Sequence, residues 1–151
     1  MLANSANISL WEWYGQDEHK RLLAICDAII ALEFLAKNAD EQIDLIPDCA
    51  ACETWYSMVI PLSDALSASG KLLPAPILTQ MTTLWDLCNS PESEAAFRCG
   101  DRSIFHETAW QPIREQASEL LASTLFSEVR PYLESLMDDC REALGLAHLC
   151  R

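Results

Sequence analysis

Residues 21–37, RLLAICDAIIALEFLAK, decide the fold. Leu22, Ile25, Cys26, Ile29, Leu32, Glu33 and Ala36 recur at spacings of three and four, and Glu33 is the only polar member of that set. The period is that of a helix, not of a strand, so this segment predicts a helix with an apolar stripe turned to a core. Asn38 follows the stripe and suits a C-terminal cap, with the helix closing near Lys37.

Upstream, Ser9 followed by Glu12 matches a capping box, with Ile8 and Trp13 as the accompanying staple. Gly15 interrupts this first element, and a second start is expected near Gln16-Asp17. Downstream, Asp40 to Ile46 predicts a short helical turn that Pro47 ends. Asp48 is the expected cap of the next helix, which carries Trp55, Met58, Val59, Leu62 and Leu66. Pro61 falls inside that pattern. It lacks a backbone donor and crowds the preceding turn, so it must kink or split the helix. Gly70 ends the segment.

Leu73-Pro74-Ala75-Pro76 reads as extended linker. Ile77, Leu78, Met81, Leu84, Trp85 and Cys88 then make another helical stripe. Ser90-Pro91-Glu92 is a helix start, with a short helix to Cys99, a stop at Gly100 and a turn over Asp101–His106. Trp110, Ile113, Ala117, Leu120, Leu121, Thr124 and Leu125 mark one amphipathic helix. Ser127 is the expected cap of the last, which carries Tyr132, Leu133, Leu136, Met137, Cys140 and Leu144 and stops at Gly145. No stretch alternates in the manner of a strand, and no repeat of solenoid period occurs. The expected fold is all-α: one domain over residues 1–151, a bundle of about five to seven amphipathic helices.

The chain has 151 residues, half of them hydrophobic, and a formal net charge of −13. That length supports a core without metal or disulfide, and the apolar content excludes wholesale disorder. The acidity argues against nucleic acid as a direct partner, because backbone phosphates would be repelled. The first basic residue is Lys20, so no secretory leader is expected. The longest uncharged run, Leu72 to Trp85, has 14 residues and two prolines, too short for a membrane span. A cytoplasmic location is the expectation.

Seven cysteines occur: Cys26, Cys49, Cys52, Cys88, Cys99, Cys140 and Cys150. With an odd count and no leader, free thiols are expected rather than a disulfide framework. Cys26, Cys88 and Cys140 lie in apolar stripes and read as core. Cys49-Ala50-Ala51-Cys52 is a CxxC at a helix start, where the helix terminus favours a thiolate and the pair can close a disulfide. The pair resembles that of the helical alkyl hydroperoxidase D type of redox protein. That type places a His four positions after the second Cys; Tyr56 stands there in this chain, so the proton relay is missing. Asp48 and Glu53 flank the pair and would raise the thiol pKa. A zinc site would have to recruit Cys88, Cys99 or His106, which lack the paired-knuckle spacing. Arg141 and His148, with six residues between them, resemble the Arg…His ribonuclease motif of HEPN domains, which are small and all-helical too, although Gly145 intervenes. No Glu-x-x-His pair and no glycine-rich phosphate loop occurs. No catalytic residue, metal or cofactor is expected.

Charge distribution carries most of the functional information. Residues 1–37 have a net charge of −2, residues 38–97 of −8 and residues 98–151 of −3. Asp40, Glu41, Asp44, Asp48 and Glu53 fall within 14 residues that contain no Lys or Arg. One account of the cluster is solubility alone; the other is a basic partner, steered and oriented by the acidic face. Trp55 and Tyr56 adjoin the cluster, and such residues anchor interfaces, although Trp55, Trp85 and Trp110 also suit a core. Trp11, Trp13 and Tyr14 form a second aromatic group. The expected partner-binding residues are therefore Asp40, Glu41, Asp44, Asp48, Glu53, Trp55 and Tyr56. The profile is that of bacterial immunity proteins and antitoxins, which mask a basic toxin. The alternatives are an adaptor or secretion chaperone holding a partner helix, and a small thiol-redox or HEPN-like enzyme.

Overall fold

A computed structural model describes residues 9–46, 49–90, 97–99 and 102–146. Among them no strand occurs, and nine α-helical segments are found: α1 (Leu10–Gly15), α2 (His19–Leu35), α3 (Ala39–Leu45), α4 (Ala50–Thr54), α5 (Ile60–Ser69), α6 (Ala75–Cys88), α7 (Trp110–Ala122), α8 (Thr124–Ser127) and α9 (Leu133–Ala143). A π-helical stretch, Trp55–Val59, joins α4 to α5 without a break. Counted as one helix with α4 and α5, and with the single turn α8 set aside, the bundle is all-α and of the expected size.

The hub is α2. It packs against α1, α5, α7 and α9. Its burial extends beyond the expected stripe: Ala28, Ala31, Phe34 and Leu35 are buried along with Leu22, Ile25, Cys26, Ile29 and Leu32. A helix apolar on nearly all sides is one that neighbours surround. Cys88 and Cys140 are buried as expected. Of the three tryptophans assigned to the core only Trp110 is fully buried; Trp55 and Trp85 are half-buried against it.

Pro61 does not end the helix; a specific device accommodates it. Ile60 N–H donates to the Trp55 carbonyl, one residue wider than an α-helical bond. The widened turn places Pro61 in the first turn of α5, where its missing N–H needs no partner. At the chain's far end Gly145 adopts φ +74°. Leu146 N–H reaches the Arg141 carbonyl and Gly145 N–H the Glu142 carbonyl, a Schellman stop that a residue with a Cβ would strain.

Several boundaries differ from expectation. Asn38 is not the C-cap of α2, which ends on Ala36. It is the N-cap of α3: its side chain accepts from Glu41 N–H, and the Glu41 carboxylate accepts from Asn38 N–H. An Asn three residues before a Glu is a capping box, and that geometry wins over a C-terminal role. Ser9 caps α1 through Trp11 N–H and not by a box with Glu12. The N-cap position of α4 is Cys49, whose side chain makes no capping bond to the helix. Only Leu73 and Pro74 are extended; α6 already begins at Ala75, with Pro76 in its first turn. The 110–125 pattern is broken at Ser123, whose extended backbone separates α7 from α8. Ser127 is the last residue of α8 and does not cap α9; a 3-10 turn over Arg130–Tyr132, containing Pro131, leads into that helix. The expected staple residue Ile8, Asp48, the helix start at Ser90-Pro91-Glu92 beyond Ser90, Gly100 and His148 lie outside the described residues, except that Ser90 itself is described.

Candidate interaction surface

Three of the expected acidic residues share one short helix. α3 reads Ala39-Asp-Glu-Gln-Ile-Asp-Leu45, and Asp40, Glu41 and Asp44 are all exposed on it. Gln42 is its buried residue. The Gln42 amide donates to the Phe34 carbonyl at 3.1 Å and the Leu35 carbonyl at 3.4 Å, bonding the helix to the end of α2. Its oxygen accepts from Arg114 Nη2 at 2.8 Å. Arg114, on α7, also donates through Nε to the Lys37 carbonyl at 2.9 Å and through Nη2 to the Phe105 carbonyl. Four segments therefore meet on one guanidinium. A buried amide, bonded through both its nitrogen and its oxygen, and a half-buried cation, bonded through Nε and Nη2, hold α3 in place. Neither residue stands out in the sequence; a Gln inside an acidic turn carries no signal of burial.

Glu53 is exposed on α4, and both α3 and α4 pack against the 3-10 turn Arg102–His106. His106 Nε2 stands 3.8 Å from Asp40, whose side chain is otherwise in solvent. Glu41 is partly engaged in its cap. Tyr56, on the π-helical stretch, is 73% exposed. Trp55 faces the other way: its ring lies 5.4 Å from Phe97 and 5.9 Å from Trp85. Packed in an aromatic cluster, Trp55 fills interior space while Tyr56 remains accessible. Asp48 lies outside the described residues.

The acidic helix also borders a groove that the sequence does not reveal. Its volume is about 620 Å³, and its lining includes Ile30 of α2, Leu45 of α3 and Met58 of the π-helical stretch. Ile30 and Leu45 are large apolar side chains left exposed, Leu45 to 57%. Glu41 lines the same groove, so acidic and apolar surface are contiguous. Across it Arg130 Nη2 pairs with Glu33 at 3.1 Å. Ile30 lies off the apolar stripe of α2, which was the available signal; the convergence of three elements on it was not readable.

The thiols divide by location. Cys26, Cys88 and Cys140 are buried, and burial pushes Cys26 and Cys88 up to about 12. Such thiols stay protonated and inert. Cys49, Cys52 and Cys99 are exposed. Cys52 is pushed up to about 11, first by its hydrogen bond to Cys49 and then by that to Cys99. The direction agrees with expectation, but the neighbours responsible are thiols and not the flanking carboxylates. Among the described residues no group of His, Cys, Asp and Glu side chains is arranged to hold a metal ion, and no helix is long and apolar enough to cross a membrane. Set against protein-family models, curated proteins and solved structures, the chain matches none.

Proposed function

We propose that this chain is a non-enzymatic acidic binding protein of the immunity or antitoxin kind, which binds and neutralises a basic partner protein such as a toxin. The observation that carries the reading is α3: three exposed carboxylates and an exposed Leu45 on one seven-residue helix that itself carries no base, beside a groove where Ile30, Leu45 and Met58 lie among Glu33, Lys37, Glu41 and Arg130. Carboxylates steer a basic partner and orient it. Leu45, Ile30 and Tyr56 supply the apolar and aromatic contact that charge alone lacks. The partner is a protein rather than a nucleic acid, since a net charge of −13 opposes phosphate. A cytoplasmic site of action belongs to the same proposal.

The groove favours a second reading, an adaptor or secretion chaperone that seats a partner helix on Ile30, Leu45 and Met58. One experiment separates the two. The tagged chain and its Asp44→Lys/Glu53→Lys and Leu45→Ser variants are used to capture partners at low salt, followed by elution with rising salt. The inhibitor reading expects a stoichiometric basic protein, released by salt, whose capture falls at least about tenfold with the double reversal. A partner lost only with Leu45→Ser and indifferent to salt supports the helix-holding reading instead. Capture of no basic protein by the wild type, or capture unaffected by the double reversal, rejects the acidic face as the binding surface.

A further inference from the structure

The CxxC of α4 is not a pair but part of a trio. The fold brings Cys99 to Cys52, with the two sulfurs 4.0 Å apart although 47 positions separate them in the chain. Cys49 bonds to the same Cys52 thiol. All three side chains are exposed, in contrast to the buried Cys26, Cys88 and Cys140. The approach of Cys99 does not rest on the sulfur contact alone. Phe97, two residues before it, packs edge-on against Trp55 at 5.4 Å and, tilted, against Trp110 at 5.4 Å. These aromatic contacts hold the 97–99 segment against the helix that carries Cys52.

We propose that Cys52 and Cys99 form a redox-responsive dithiol that a small-molecule disulfide such as oxidised glutathione closes to an intramolecular disulfide. A bonded pair needs its sulfurs at about 2.04 Å, so each exposed side chain has to supply only part of a shift of about 2 Å. The step balances as thiol–disulfide exchange. The Cys99 thiolate attacks one sulfur of the oxidant, the oxidant's S–S bond breaks, and one glutathione thiolate leaves. Cys52 then gives up its proton to solvent and attacks the Cys99 sulfur of the mixed disulfide, and the second glutathione thiolate leaves. The two cysteines lose two electrons, and the oxidant is reduced to two thiols. The bond ties α4, with Glu53, to the 97–99 segment. In a reducing compartment it forms only transiently, as redox-sensing disulfides do.

The test is to equilibrate the full native chain with mixtures of reduced and oxidised glutathione, trap free thiols by alkylation, and map linked peptides by mass. The expected product is a monomer about 2 Da lighter, with Cys52 joined to Cys99 and two fewer alkylatable thiols. Cys49→Ser retains the link. Cys52→Ser and Cys99→Ser abolish it and leave a mixed disulfide with glutathione. The wild-type map stands without the variants, so a variant that folds poorly does not blunt the test. A Cys49–Cys52 link as the main product overturns the proposal. So do a persistent glutathione adduct on wild-type Cys99, a disulfide between two copies, and six or more thiols remaining alkylatable at every ratio.

Discussion

Around α2 the molecule excludes polar side chains, whereas around α3 it relies on them. Leu22, Ile25, Ile29, Leu32 and Leu35 of α2 are wholly buried, and α5, α7 and α9 cover them. α3 buries only Gln42, and reciprocal hydrogen bonds at Asn38 and Glu41, together with the Arg114 guanidinium, keep it in position. The first region is held by area removed from water. The second is held by a few directed bonds, which leave Asp40, Asp44 and Leu45 facing outward. Stability and the proposed binding surface thus reside on different segments, and substitutions should separate them.

The largest effect is expected where the two regions meet in the core. Trp110 is fully buried, with ring centroids of Phe97 and Phe105 at 5.4 and 5.2 Å and the Arg114 guanidinium 5.7 Å away. Trp110→Ala removes an aromatic ring from close-packed surroundings, and about 4 kcal/mol of unfolding free energy should go with it. Tyr56→Ser, at 73% exposure, should stay within about 0.5 kcal/mol of the wild type. Denaturant titrations of both variants check the contrast. Similar losses in the two would mean that the α4 end is as tightly packed as the α2 end.

Arg114 comes next. Arg114→Met keeps most of the volume but leaves Gln42 Oε1 and the Lys37 and Phe105 carbonyls without their donor. Unsatisfied acceptors at this depth cost about 1–3 kcal/mol each, reduced wherever water reaches them. A net loss of about 3 kcal/mol is expected. Since the bonds serve α3 specifically, amide exchange should accelerate in 39–45 before it does in α2. Uniform acceleration in both helices would show that α3 is not separately held.

How the sequence relates to this outcome depends on the range of the signal. The α2 stripe and the stop at Gly145 are local, and both are present. Asn38 was legible in type but not in direction, because an Asn between two helical segments suits either a C-cap or an N-cap. Glu41 three residues later decides it. Ser123 broke a helical pattern that apolar spacing carried straight through to Leu125. Cys99 beside Cys52, Arg114 beside Gln42 and the Ile30–Leu45–Met58 groove all join residues far apart in the chain, so no spacing rule could expose them. The acidic run was visible from composition alone. That Trp55 packs inward while Tyr56 does not follows from the positions of Phe97 and Trp85.

The smallest expected effect sharpens the contrast from the α2 side, because one carboxylate does intrude there. Asp27 sits on α2 at half-burial. Desolvation raises its pKa above the ordinary carboxylate value; Arg141 opposes the rise and Asp64 adds to it. A carboxyl that binds its proton more tightly in the folded chain stabilises the fold fully below the unfolded pKa, and that contribution is lost as pH rises through the folded pKa. Ionising Asp27 at neutral pH therefore costs folding stability. Asp27→Asn removes that cost, so its Tm should exceed the wild type's at pH 7, and the gap should narrow as pH falls through the raised folded pKa and close below about 4, the unfolded value. A lower Tm for Asp27→Asn at pH 7 would mean that its attraction to Arg141 outweighs burial, and that the α2 region tolerates charge as readily as α3 does.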